Sequence, residues 1–135
     1  MDNRVEEEMK YWKFDVCSLI GDYPNNKKRL IAIEEALQTA RGYIENPIGA
    51  TSRGDWEQYV KVLELRLNEY LMYVDMVELG FGGLPEVERL VLKYWLIDGY
   101  EDPVIVSHCG IKNLEELKKI KKISLTKFTN IVMPD

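Results

Sequence analysis

The sequence is short of the residues that carry most covalent and metal chemistry. Its 135 residues include two cysteines, Cys17 and Cys109, and a single histidine, His108. That set cannot fill a four-ligand zinc site without carboxylates, and no Cys-x-x-Cys pair is present. Two thiols without a recurring spacing fit cysteines that stay reduced in a cytosolic protein. A glycine-rich phosphate loop and a Ser–His–Asp set are both missing. No apolar run approaches the roughly 20 residues that a membrane span needs. Residues 1–12 are charged, unlike the apolar stretch of a secretory leader. An excess of positive charge is lacking too, since 18 basic side chains stand against 23 acidic ones for a net charge of −5. A protein coated in positive charge is excluded, but a local basic patch is not. These absences point to an intracellular, cytoplasmic, non-membrane chain that is not an enzyme and uses no cofactor or metal.

What the sequence does contain is helical spacing. The length allows one domain, or a helical arm joined to a small one, and 46% hydrophobic residues suffice for a core. Val5, Met9, Trp12, Val16 and Leu19 recur in steps of three and four, which places them on one helix face. Gly21 and Tyr23-Pro24 end that helix. Asn25-Asn26 reads as the cap of a second, with Leu30, Ile33, Leu37, Ala40 and Ile44 on its apolar side. NPIGATSRGD (residues 46–55) reads as a connecting loop. The third stripe, Trp56, Val60, Leu63, Leu67, Tyr70, Val74 and Val77, is the longest and suits a coiled coil or long bundle helix. Glu57, Lys61, Glu64, Arg66 and Glu69 lie on its wet side. Gly80 to Gly83 stop it, glycine being able to enter the left-handed conformations that helix ends use.

Shorter helices follow. LPEVERLVLKYWLIDGY (residues 84–100) has proline in its first turn and Glu86 and Glu88 near the positive end of its dipole. Asp98-Gly99 ends it. Asp102-Pro103 opens a short helix that Gly110 closes, Asn113 caps LEELKKI, and Ser124 caps LTKFTNIV. Sustained period-two alternation is absent. The expected fold is therefore all-α, with an N-terminal helical bundle or coiled-coil arm over residues 1–79 and a small helix-turn-helix domain over residues 84–135.

Charge is unevenly spread along this plan. Residues 1–100 carry 12 basic and 18 acidic side chains, whereas residues 112–127 carry six lysines against Glu115 and Glu116. In the segment NLEELKKIKKISLTKFTNIV (residues 113–132), Leu117 and Ile120 face inward, Ile123 plugs a turn, and Ser124 caps a second helix. That is the layout of a helix-turn-helix offered to the DNA major groove. Leu125, Thr126, Lys127, Thr129 and Asn130 then stand where side chains reach base edges. Lys118, Lys119, Lys121 and Lys122 lie where phosphates pass. A second register is open: EDPVIVSHCGI as the first helix and NLEELKKIKKI as the reading one, which moves the contacts by about ten positions.

The chain resembles phage-encoded late transcriptional regulators of the RinA/ArpU type, whose C-terminal part is similar to region 4 of sigma factors. DYPNNKKRL (residues 22–30), NPIGATSRGD, LPEVERLVLKYWLIDGY and residues 113–132 carry the resemblance and cover most of the chain in order. It departs from the family between Tyr100 and Lys112, where EDPVIVSHCGIK intervenes before the two-helix unit. The resemblance implies a duplex-DNA-binding regulator of phage genes in a bacterial host, with RNA polymerase or another host protein as a partner.

Other features have plainer readings. Adjacent helical residues point about 100° apart, so His108 and Cys109 cannot face each other as a nucleophile pair. The aromatics Tyr11, Trp12, Trp56, Tyr70, Tyr73, Tyr94 and Trp95 have the spacing of core or interface residues rather than of a base-stacking platform. The runs Glu6-Glu7-Glu8 and Glu34-Glu35 read as solvated faces. The long third stripe either closes an intramolecular bundle with the first two helices or leaves a seam for a second copy; the second is favoured, because a homodimer gives a DNA reader two half-sites. The alternative function is a helical inhibitor or adaptor of a host protein that keeps the fold without binding DNA.

Overall fold

The computed structural model describes residues 15–46 and 53–134, and every described element is helical. The elements are α1 (Val16–Gly21), α2 (Tyr23–Glu45), α3 (Arg53–Gly82), α4 (Glu86–Leu92) with a π-helical turn at Lys93–Ile97, α5 (Asp102–Cys109) and α6 (Leu114–Val132). The part of the first expected helix before residue 15 lies outside the described residues. The chain divides into two compact units, one formed by Pro24–Val74 and the other by the segments on either side of it.

Pro24–Val74 is a helical hairpin built on the two long stripes. Ile33, Leu37, Ala40, Val60 and Leu63 form its core, with Ala36, Ile44, Trp56, Leu67 and Tyr70 packed around them. The partners that meet across it fix the direction. Tyr43 stacks on Trp56 at 4.7 Å, Arg41 pairs with Glu64 at 3.1 Å, and Arg29 lies over the ring of Tyr70 at 5.8 Å. Early residues of α2 thus meet late residues of α3, as an antiparallel pair requires. Helix α2 starts at Tyr23, ahead of the expected Asn25-Asn26 cap. Asn26 is buried and its Oδ1 accepts from the Arg29 guanidinium at 3.3 Å. Arg53 to Asp55, expected in the loop, belong to the first turn of α3.

The second unit is assembled from short pieces. Asp15 caps α1 by accepting from the Ser18 amide at 2.7 Å. Val16, Leu19 and Ile20 are buried, and the helix packs on the π-helical turn at Lys93–Ile97. Gly21 lets the backbones approach there, because a Cβ would sit 3.1 Å from the Leu96 carbonyl oxygen. The π turn is marked by the Asp98 amide donating to the Lys93 carbonyl five residues back, at 3.0 Å. Val91, Ile105, Ile111 and Leu117 form a common core of α4, α5, the turn after α5, and α6. Each fully buried aliphatic side chain of this kind contributes roughly 1.5–3 kcal/mol.

Two expectations are corrected. Gly80 to Gly83 do not work through left-handed backbone, since Gly99 and Gly110 alone among the described residues have positive φ. Gly80 serves close packing instead: a Cβ there would fall inside the ring of Phe128, which is fully buried and meets Phe81 edge-on at 5.8 Å. Residues 113–132, expected as two helices with a turn at Ile123 and a cap at Ser124, are one unbroken helix. The stripe Leu117, Ile120, Ser124, Phe128 and Ile131 keeps its three/four step through that point, with no glycine or proline to interrupt it. Ser124 is buried and its hydroxyl donates back to the Ile120 carbonyl, so it satisfies itself within a helix instead of starting one. Ile123 is 49% exposed and plugs nothing.

Candidate nucleic-acid interface

Two helices joined by a tight turn occur one element earlier, at the place of the second of the two registers. Helix α5 ends at Gly110, whose φ of 65° and ψ of 32° lie in the left-handed region that favours glycine. The Ile111 amide then donates to the Val106 carbonyl at 3.0 Å, closing the helix end, and the Ile111 side chain is buried in the common core. Asn113 is extended, and its side chain accepts from the Glu116 amide at 2.8 Å to start α6. A left-handed glycine, a buried apolar residue and a polar cap thus fall within four consecutive positions. Proline near the start of α5 and Glu115 and Glu116 in the first turn of α6 complete the local signals.

Helix α6 buries Leu117 and Ser124 with Ile120 beside them, and presents Glu115, Lys118, Lys119 and Lys122 to solvent. Those four stand at i, i+3, i+4 and i+7, on one face. None of the four has an ion-pair partner among the described residues. The neighbouring Leu114 is 55% exposed, and an open cleft lined by Pro103, Val106, Asn113, Leu114 and Glu115 lies where α5 meets the start of α6.

The remaining sequence-derived contact residues are placed differently from expectation. Lys121 is committed within the unit: its Nζ pairs with Asp102 at 2.6 Å and lies 4.7 Å from the centre of the Trp95 ring. Lys127 pairs at 2.9 Å with Glu88, whose carboxylate is largely buried. Removing that ammonium would leave a poorly solvated charge, which is a structural reason for a lysine there. Ser124 and Thr129 are fully buried, and the Thr129 hydroxyl donates to the Leu125 carbonyl at 2.8 Å. Leu125 and Thr126 are half-buried, while Asn130 is exposed. The ten residues therefore do not form one surface. Lys118, Lys119 and Lys122 do, and Glu115 is the member of that face which sequence reasoning missed. The signal was available in the Gly-Ile-Lys-Asn run at 110–113.

The other candidate chemistries take their plain forms. Burial raises the thiol pKa of Cys109, and burial together with the nearby Asp15 carboxylate raises that of Cys17, so neither is activated as a thiolate. The His108 Nδ1 lies 2.9 Å from the Val104 carbonyl, and its ring leans against Tyr94 and Tyr100. Lys93 is held protonated by its hydrogen bond to Asp98, which raises its pKa. No group of three or more metal-ligating side chains occurs among the described residues. The aromatic side chains pair locally: Trp56 with Tyr43 and Tyr59, Tyr70 with Tyr73, and Tyr94 with Tyr100, while Trp95 packs in the core. Tyr11, Trp12 and Glu6 to Glu8 lie outside the described residues, and Glu34 and Glu35 are exposed. None of the described helices is long and apolar enough to cross a membrane. No protein-family model matches the chain, and no curated protein or solved structure matches it.

Proposed function

We propose that the chain is a phage-type transcriptional regulator that binds duplex DNA through α5 and α6, with α6 as the helix offered to the major groove. One observation carries this reading. A tight turn through Gly110, Ile111 and Asn113 joins the two helices, and α6 leaves it with Lys118, Lys119 and Lys122 together on an exposed face. Ammonium groups held on one face track a phosphate backbone, and each contact releases condensed counterions. The resemblance of residues 84–100 to the helix ahead of a sigma-type unit supports the same assignment, with α4 and its π turn in that place. The protein then acts in the host cytoplasm, as a homodimer on paired half-sites, alongside RNA polymerase or another host protein.

The test is binding of the purified protein to random-sequence duplex DNA across a salt series, with solution mass measured alongside. Micromolar affinity that falls steeply with salt is expected. Changing Lys118→Ala together with Lys119→Ala should weaken binding on every sequence and lower the salt slope by about 2. Absence of binding at low salt would overturn the proposal. An unchanged slope in the double variant would place the contact elsewhere.

A second reading, a helical adaptor or inhibitor of a host protein, is favoured by the outer side of α3. Val62, Leu65 and Met72 are exposed there, Leu65 at 71%. A monomeric protein that binds no duplex at low salt is the outcome that selects it.

A further inference from the structure

Resting on the DNA-binding reading, we infer that Glu115 determines base specificity by accepting a hydrogen bond from the exocyclic amino group of a cytosine in the major groove. Glu115 is exposed at the N-terminal end of the lysine face, one turn ahead of Lys118 and Lys119, and carries no ion pair among the described residues. The helix start does not require it, because Asn113 caps the turn and Glu116 also supplies a charge near the positive end of the dipole. Whatever duplex surface the three lysines approach, this carboxylate approaches with them. Phosphates repel it. In the major groove, guanine presents only acceptors and thymine an acceptor and a methyl group, leaving the amino groups of cytosine and adenine as the donors. Adenine sets its N7 acceptor beside that amino group, against a second carboxylate oxygen, whereas cytosine offers the donor without it. The carboxylate therefore selects cytosine, while the lysines hold the backbone without reading sequence.

The experiment is selection of binding sites from a pool of random duplexes with the unaltered protein, Glu115→Gln and Glu115→Ala, followed by affinity measurements on the recovered sites. The unaltered protein should enrich cytosine at one position, with roughly tenfold weaker binding when that base pair is changed. The amide of Glu115→Gln both donates and accepts, matching adenine N7 and N6, so the preference at that position should move to adenine. Glu115→Ala should lose selectivity there and keep it elsewhere. If both variants recover the original site and simply bind every duplex more tightly, Glu115 is only a repelling charge and the inference falls. If no protein recovers any duplex, the DNA-binding reading itself fails, and the two failures are thereby distinguished. Circular dichroism of both variants checks that α6 is intact.

Discussion

The two units reach stability by different routes. The Pro24–Val74 hairpin relies on length and repetition: nearly all of α2 and the greater part of α3 share a stripe repeating every three or four positions that builds one seam. Its polar interactions are mostly at the surface, as in the Arg41–Glu64 pair, whose side chains are about half exposed. The other unit has no such redundancy. Its helices are mostly short, and single positions hold them together: the left-handed Gly110, the Asn113 cap, the notch at Gly80 for Phe128, and the Lys127–Glu88 pair. A repeated seam spreads its energy over many equivalent contacts. An assembly of short elements concentrates it at a few positions, each with its own chemistry.

The sharpest way to break that contrast lies in α6. Had Ser124 been the cap of a new helix, Leu125 would occupy its first position, where proline is tolerated. In a continuous helix the same change removes a backbone hydrogen bond and clashes with the preceding turn. Leu125→Pro should therefore cost about 3 kcal/mol or more. Urea unfolding followed by circular dichroism checks it, and a near-neutral result would restore the two-helix reading of residues 113–132.

A pair of glycine substitutions sharpens the comparison further, with opposite signs expected. Gly110→Ala forces a Cβ into left-handed backbone and should destabilise the protein by about 1–2 kcal/mol. Gly42 lies inside α2, and a Cβ there would meet nothing within 4 Å. Gly42→Ala should therefore stabilise by about 0.5–1 kcal/mol. Thermal unfolding of both variants reads the signs directly, and equal signs would remove the distinction between the units.

The smallest difference concerns the ion pairs. Lys127→Ala leaves the largely buried Glu88 carboxylate without its cation and should cost about 1–2 kcal/mol, less than a fully buried pair because Lys127 is itself half exposed. Arg41→Ala should cost well under about 1 kcal/mol, as exposed pairs usually do. Chemical denaturation at low and high salt separates them, since salt should weaken the Arg41 effect more.

The hairpin was the more legible of the two units for the same reason. A stripe such as Trp56 to Val74 repeats its message many times, so one misread residue changes nothing. Gly110 and Asn113 were also legible as a helix end and a cap. Ser124 was not, because serine satisfies its hydroxyl equally well by capping a new helix or by bonding back to the carbonyl four residues earlier. Only its burial on the face that also carries Leu117 and Phe128 decides between them, and burial is a tertiary property. The roles of Lys121 and Lys127 were hidden likewise. Their carboxylate partners, Asp102 and Glu88, lie 19 and 39 residues away in the chain. Gly80 announced a helix end, whereas its reason is the distant ring of Phe128.

The docking of α1 on the π-helical turn has a consequence for the order of events during synthesis. Val16, Leu19 and Ile20 leave the ribosome early, but the turn at Lys93–Ile97 that covers them is translated more than 70 residues later. At elongation rates of about 5–20 residues per second that interval lasts on the order of 4–15 s. The hairpin lies wholly within the intervening stretch and contains both halves of its own seam, so it has the means to collapse first. Until the turn is made, Val16, Leu19 and Ile20 lack the surface that buries them in the folded protein. A nascent-chain chaperone has its best opportunity in those seconds, and slowing translation between residues 75 and 97 would lengthen them.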